Sequence, residues 1–163
     1  MTTVAESATV NHATFTIERT FPVAPSRVFA AFADPAKKRR WFAAGAGHAV
    51  TEPHQMDFQV GGREHSERRI QGGPIDGAQL ENDTVYMDII PDARIVLAYT
   101  MSVNGKRISS SLATFELQPT AEGTRLVFTD QGAYFENSDG QEIRKQGWTT
   151  ILNSLAAEIE SDR

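Results

Sequence analysis

The sequence contains no cysteine, which excludes disulfide frameworks, thiolate zinc sites and cysteine nucleophiles. It also lacks any apolar run near the ~20 residues that a transmembrane helix needs, so membrane insertion is not expected. Residues 1–16 contain no Lys or Arg and no sustained apolar run, so a signal peptide is not expected either. Together these absences predict a cytoplasmic protein.

Positive charge is also scarce. The chain has 16 Lys and Arg against 21 Asp and Glu, a formal net charge of −5. Because clustered cations drive phosphate binding, nucleic acid is not expected as a partner. The one basic run, residues 37–40, precedes Trp41 and Phe42. We interpret it as a solvated helix face beside two buried aromatic side chains.

Motifs for metals, nucleotides and serine hydrolysis are absent as well. The histidines form no H-x-H, H-x-x-x-H or H-E-x-x-H pattern, so we expect no metal and no cofactor; they are His12, His48, His54 and His65. Residues 45–47 begin like a glycine-rich nucleotide loop, but the last glycine of that pattern is missing. No G-x-S-x-G motif is present, so a serine hydrolase is not expected.

The length and composition are those of a single globular domain. A chain of 163 residues can bury a core that needs no metal or disulfide. The composition, 40% hydrophobic and 23% charged, is ordinary for such a domain. Residues 1–12 are small and polar, so we expect a disordered tail followed by one domain over residues 13–163.

Local patterns predict one strand, two short helices and then a run of strands. Polar and apolar residues alternate over residues 13–21, as in a half-buried strand. Pro25 and Asp34-Pro35 are typical of helix starts, and the second helix should end near Phe42. Turn signals separate six further strands, predicted at residues 55–60, 63–70, 80–90, 94–103, 107–118 and 124–131. Short connections between them indicate an antiparallel meander.

The chain ends in a predicted long helix. Two overlapping capping-box patterns, Ser138 with Gln141 and Asp139 with Glu142, predict a start near residue 139 or 140. At helical spacing one apolar stripe forms, comprising Trp148, Ile151, Leu152, Leu155 and Ile159. The stripe must pack on the concave side of the sheet. Arg144 lies at its centre, one turn before Trp148.

Several short motifs, in this order and spacing, resemble the SRPBCC (START-like) superfamily: Val28-Phe29-Ala30-Ala31-Phe32, Asp34-Pro35, Trp41-Phe42, Val60-Gly61-Gly62-Arg63, Gly123-Thr124-Arg125-Leu126 and Gly147-Trp148. The chain is most similar to the branch related to the C-terminal domain of the activator of the heat-shock-ninety chaperone ATPase. The resemblance covers about residues 13–160. It implies an α+β helix-grip fold, in which a curved antiparallel sheet of about seven strands wraps around a long C-terminal helix, with two short helices after the first strand.

The resemblance implies three functions. Members of the superfamily bind lipids, hormones and polyketides, so the first is binding of a small hydrophobic or amphipathic molecule between sheet and C-terminal helix. The second is a polyketide cyclase or hydratase-like enzyme that uses Asp130 or Glu64 as general acid or base. The third is a stress-response or chaperone-associated protein that binds a partner through the outer sheet face or residues 37–40. Direct stimulation of the chaperone ATPase is not expected, because the activator's N-terminal domain has no counterpart here. A homodimer through an edge strand is left open.

Strand alternation suggests which side chains face the cavity. The strand after Gly62 is polar on both faces, so polar groups point inward or the strand lies at an edge. We hypothesise that Glu64, Arg68, Asp130 and Arg144 satisfy one another in one polar cluster at the cavity's end, as a ligand anchor or as a purely structural network. The ligand body would contact Phe58, Leu97, Tyr99, Met101, Phe115, Phe128 and Trp148.

Gly147 stands out inside the predicted helix. A glycine at such a position costs ~1 kcal/mol relative to alanine, so a structural reason is expected. We predict that it lets a strand or a ligand approach the helix closely.

Overall fold

The computed structural model describes residues 7–43, 49–50 and 54–162. Most of the predicted loop over residues 45–53, including His48, lies outside the described residues. The strands are β1 (Val10–Phe21), β2 (Ala49–Val50), β3 (Gln55–Met56), β4 (Arg63–Arg69), β5 (Gln79–Ile90), β6 (Arg94–Val103), β7 (Lys106–Thr120) and β8 (Gly123–Phe135). The helices are α1 (Pro25–Ala33), α2 (Pro35–Lys38), which runs into a π-helical turn (Arg39–Ala43), and α3 (Gln141–Ser161).

All strands join one antiparallel sheet. Its order is β1-β8-β7-β6-β5-β4-β2, and β3 also pairs with β4. From β4 to β8 each strand pairs with the next, as predicted for a meander. Strand β1 then closes the far edge by pairing with β8 along its whole length, from Val10↔Phe135 to Phe21↔Thr124. The predicted helix-grip fold is therefore confirmed.

Helix α3 packs its predicted stripe against the concave side of the sheet. All five stripe residues are buried, and Leu152 and Leu155 are fully inaccessible. The Trp148 ring lies 4.5 Å from the Phe128 ring and 5.9 Å from the Phe115 ring, centroid to centroid. Burial of each large apolar side chain contributes ~1.5–3 kcal/mol, so this seam holds helix and sheet together. None of the described helices is both long and apolar enough to span a membrane.

Several predicted strand ends were wrong. Strand β1 begins at Val10 instead of Ala13, because residues 10–12 pair with the last residues of β8. The predicted strand over residues 55–60 is paired only at Gln55–Met56. A tight turn follows, in which Gly62 N donates to Gln59 O. A Cβ at Gly62 would lie 2.1 Å from the Asp57 carbonyl oxygen, so the turn requires glycine.

The two helix caps follow different rules. Asp34 caps α2 as predicted, since its carboxylate accepts from Ala36 N at 2.9 Å. The capping boxes of α3 were wrong: its N-cap is Gly140, with φ 82° and no side-chain cap. The carboxylate of Asp139 is instead taken by Arg144, which donates to both of its oxygens at 2.8 Å. A charged partner in the first turn of α3 thus takes the carboxylate that would have formed the cap.

Candidate functional site

A cavity of about 220 Å³ lies between α3 and the inner face of strands β4 to β7. Its wall is largely apolar, and includes Trp41, Phe42, Leu80, Leu97, Met101, Val103, Phe115 and Trp148. Charged side chains line it as well: Lys38, Glu64, Arg68, Asp139 and Arg144. An apolar chamber with a few convergent polar groups has the general composition of a small-molecule site.

Most of the predicted site residues line this cavity. They are Glu64, Arg68, Leu97, Tyr99, Met101, Phe115, Arg144 and Trp148. Three others do not. Phe58 packs on the Phe29 and Tyr86 rings, Phe128 is a fully buried core residue, and Asp130 lies behind Tyr99. Ligand contact by any of the predicted residues stays a prediction.

The predicted cluster of four charged residues was wrong in its pairing. Glu64, Arg68, Asp130 and Arg144 are all buried. Among the described residues, however, none of the four forms an ion pair or hydrogen bond with another of them. They divide into three groups, and only Asp130 and Arg144 share one, through the hydroxyl of Tyr99.

The first group surrounds Glu64. Lys38 Nζ lies 3.0 Å from Glu64 Oε1 and His54 Nε2 lies 2.7 Å from Oε2. The hydroxyl of Tyr86 also donates to Oε1. Burial alone would raise the pKa of Glu64, but the charge of Lys38 and the hydrogen bonds from His54 and Tyr86 outweigh it and lower the pKa to about 2. Glu64 is therefore ionised and fully partnered at neutral pH.

The second group contains Arg68. Its Nη1 donates to Phe42 O and its Nη2 to Asn82 Oδ1, both at 3.2 Å. Its Nε–H is buried and has no acceptor among the described residues. No described carboxylate lies within ion-pair distance of this guanidinium, whose residue is only 5% exposed. Desolvation therefore lowers the pKa of Arg68 to about 10, which still leaves it charged.

The third group is centred on the hydroxyl of Tyr99. It donates to Asp130 Oδ2 at 2.5 Å and accepts from Arg144 Nη1 and Trp148 Nε1, both at 3.2 Å. Arg144 also donates to Ser109 Oγ at 2.7 Å. Burial raises the pKa of Asp130, although the hydrogen bond from Tyr99 and the charge of Arg144 oppose the rise. These contacts join the start of α3 to β6, β7 and β8.

The sequence analysis missed four polar residues of the wall: Lys38, Asn82, Thr84 and Asp139. Lys38 was taken for part of a solvated face, yet it is 4% exposed and paired with Glu64. Its neighbours Lys37 and Arg40 do face outward and contact carboxylates at the end of α3. Asn82 was missed although alternation from Leu80 places it on the inner face of β5.

One further group of described residues has ligand atoms close enough to hold a metal ion. Atoms of His65, Glu67 and Glu81 all lie within 4.8 Å of one another on the outer face of the sheet. Glu81 was missed as a third ligand because it comes from the adjacent strand, opposite Glu67. Both ring nitrogens of His65 already contact carboxylates, Asp83 at 2.7 Å and Glu67 at 3.1 Å. A metal would have to displace these contacts.

The comparisons with known proteins identify the family. The model of the Activator of Hsp90 ATPase homolog 1-like protein family matches residues 22–160. The chain belongs to this family. No curated protein sequence matches the chain. The family therefore accounts for the fold and for a cavity between sheet and helix, while the ligand has to be argued from this chain's own residues.

Solved structures of this family's fold resemble the whole chain. A protein from Rhizobium loti is 45% identical, with a TM-score of 0.81, over 92% of this chain and 99% of that chain. A protein from Rhizobium leguminosarum is 34% identical, with a TM-score of 0.87, over 95% and 99%. DynU16, from the dynemicin biosynthetic locus, is 18% identical, with a TM-score of 0.60, over 92% of this chain and 48% of its own; it shows the shared fold alone.

Proposed function

We propose that the protein binds a small hydrophobic or amphipathic molecule in the cavity between the sheet and α3. The observation that carries the proposal is the cavity itself, about 220 Å³ within a largely apolar wall. Helix α3 seals the sheet through Trp148 and the residues after it, while the space beside the helix's first turns stays open. Such a chamber removes apolar ligand surface from water, which is the main source of affinity for small ligands.

The volume limits the size of the ligand. An engineered protein cavity of ~150 Å³ holds benzene, and pockets for drug-sized molecules span ~300–1,000 Å³. The cavity here lies between these values at about 220 Å³. A molecule with one ring, or a short aliphatic chain, and one small polar group would fit.

Gly147 supports the proposal from the helix side. It lines the cavity, and a Cβ built on it would meet no heavy atom within 4 Å. The predicted close approach of a strand was therefore wrong. Gly147 is also exposed, so we infer that its missing side chain leaves open the mouth of the cavity beside the first turns of α3.

A pair of variants tests this function. Gly147→Leu should place a bulky side chain at the mouth of the cavity, whereas Gly147→Ala adds only a methyl group. We expect native mass spectrometry and thermal shift to detect binding of one-ring aromatic and short-chain aliphatic probes to the wild type and to Gly147→Ala, and at least ~10-fold weaker binding to Gly147→Leu.

Gly147→Ala should also raise the free energy of unfolding by ~1 kcal/mol, because alanine favours the helix. This gain would confirm that the site tolerates a side chain. Binding of no probe by the wild type would contradict the proposed function. Equal probe binding by the wild type and Gly147→Leu would contradict the role inferred for Gly147.

The other predicted functions have less support. A catalytic role for Glu64 is disfavoured by its lowered pKa and its occupied oxygens. Asp130 has a raised pKa but does not line the cavity. For partner binding, Lys37 and Arg40 are already occupied by contacts within the chain. Catalysis, chaperone association, a homodimer and the cytoplasmic location stay predictions.

A further inference from the structure

We propose that Arg68 binds the carboxylate of a small monoanionic ligand whose apolar body occupies the cavity. This inference rests on the proposed function and names the ligand class. The structural basis is a buried guanidinium on the cavity wall whose partners among the described residues are all neutral.

The hydrogen bonding of Arg68 is incomplete among the described residues. A guanidinium offers five N–H donors, and the two acceptors it contacts, Phe42 O and Asn82 Oδ1, engage Nη1 and Nη2. The Nε–H is buried without an acceptor among the described residues. A buried charge without a counter-charge is costly, so the site gains most from a ligand that brings a negative charge.

A carboxylate matches the planar shape of the Arg68 guanidinium. The planar fork of arginine binds carboxylates through two parallel N–H···O bonds, and Nε is one prong of that fork. The cavity wall next to Arg68 contains apolar side chains. Leu80 is its partner across the β4–β5 ladder, and Ile70 is the next residue on the same face of the chain. A ligand anchored here would place its apolar part against these side chains.

The charges of the wall favour a single negative charge. Lys38 is neutralised by Glu64 at 3.0 Å, and Arg144 by Asp139 at 2.8 Å. Arg68 is the one lining cation without a carboxylate among the described residues. A phosphate dianion would leave a second charge uncompensated in an apolar chamber, whereas a monocarboxylate leaves none.

Two pairs of probes separate charge from shape. Benzoate and hexanoate carry the carboxylate, and benzamide and hexanamide are neutral molecules of nearly the same size. We expect calorimetry to give at least ~10-fold tighter binding of each acid than of its amide to the wild type, as for a hydrogen-bonded charge. Arg68→Met should weaken the acids to the level of the amides.

Two further variants keep the test specific. Arg63→Met removes the same charge from an exposed position on the outer face of β4, and it should leave the preference for the acids intact. Arg68→Lys keeps the charge without the fork and should retain part of the preference. Far-UV circular dichroism and the denaturation midpoint establish that each variant is folded.

The outcomes distinguish failure of this inference from failure of the proposed function on which it rests. If the wild type binds acids and amides equally, or if Arg68→Met weakens both equally, the anion inference is wrong while cavity binding stands. If the wild type binds none of the four probes, the proposed function itself fails. Loss of acid binding in Arg63→Met would assign the preference to overall charge and overturn the role of Arg68.

Discussion

Glu64 and Arg68 lie four residues apart on the inner face of β4, and they are buried almost equally, at 3% and 5% exposure. Their environments differ. Glu64 has a lysine, a histidine and a tyrosine around its two oxygens. Arg68 has a backbone carbonyl and an asparagine, and one unused donor. Burial alone therefore does not separate a structural charge from a ligand anchor. The two cases are distinguished by whether the protein itself supplies a counter-charge.

Removing the charge of Glu64 should have the largest effect on stability. Glu64→Gln keeps the shape of the side chain but leaves Lys38 buried without a counter-charge, which typically costs ~3–5 kcal/mol. We expect a loss of this size in the free energy of unfolding, measured by urea denaturation.

Arg68→Met is the matched control for Glu64→Gln. It removes a desolvated charge that has no ionic partner among the described residues, and it keeps much of the apolar volume. Stability should therefore change by no more than ~1 kcal/mol or should increase. Equal and large losses in both variants would remove the distinction between the two residues and would make Arg68 a structural cation.

The stability of the wild type at acid pH should reveal the contribution of Glu64. The pKa of Glu64 falls from its ordinary 4.5 to about 2 on folding. A lowered carboxyl pKa gives stability that is present above the unfolded value and is lost as pH falls through the folded value. Glu64 should therefore contribute ~3 kcal/mol near neutral pH, lost between about pH 4.5 and about pH 2.

Denaturation of three proteins across this range checks the assignment. The wild type and Arg68→Met should lose stability in parallel as pH falls, because both retain Glu64. Glu64→Gln should have a distinctly shallower dependence. A slope in Glu64→Gln as steep as in the wild type would assign the acid sensitivity to other carboxylates.

The fold could be predicted from the sequence because its signals are local and repeated. Strand alternation, turn residues such as Asn104-Gly105 and the stripe from Trp148 to Ile159 each depend on residues close in the chain. The errors occur where a competing side-chain or strand contact overrides a local pattern. Asp139 reads as a cap, but Arg144 occupies its carboxylate.

The site was predicted less completely for the same reason. Alternation put Glu64 and Arg68 on one face of their strand, and the structure shows that this face lines the cavity. Their pairing depends on which strands and helices meet across the cavity, and the sequence carries no direct signal of that. Lys38 illustrates the difficulty, because one residue of a basic run turns inward to Glu64 while its neighbours stay at the surface.

The smallest predicted effect concerns His65, on the outer face of β4. His65 contacts Asp83 at 2.7 Å and Glu67 at 3.1 Å, much as His54 contacts Glu64 inside, but its side chain is 29% exposed. Desolvation would lower the pKa of His65, yet the hydrogen bonds that its ring donates to Asp83 and Glu67 outweigh it and raise the pKa. Solvent screening should limit the contribution of such a pair to ~1 kcal/mol or less.

His65→Gln therefore tests whether burial determines how much these histidine–carboxylate contacts contribute to stability. A raised histidine pKa gives stability that is present below the ordinary value of 6.5 and is lost as pH rises through the folded value. The variant should be less stable than the wild type at acidic pH, approach it at alkaline pH, and lose the difference in high salt because exposed charges are screened. A loss that persists in high salt and equals that of Glu64→Gln would mean that solvent exposure does not weaken the outer contacts. Charge pairing alone would then have to account for the stability losses on both faces of β4.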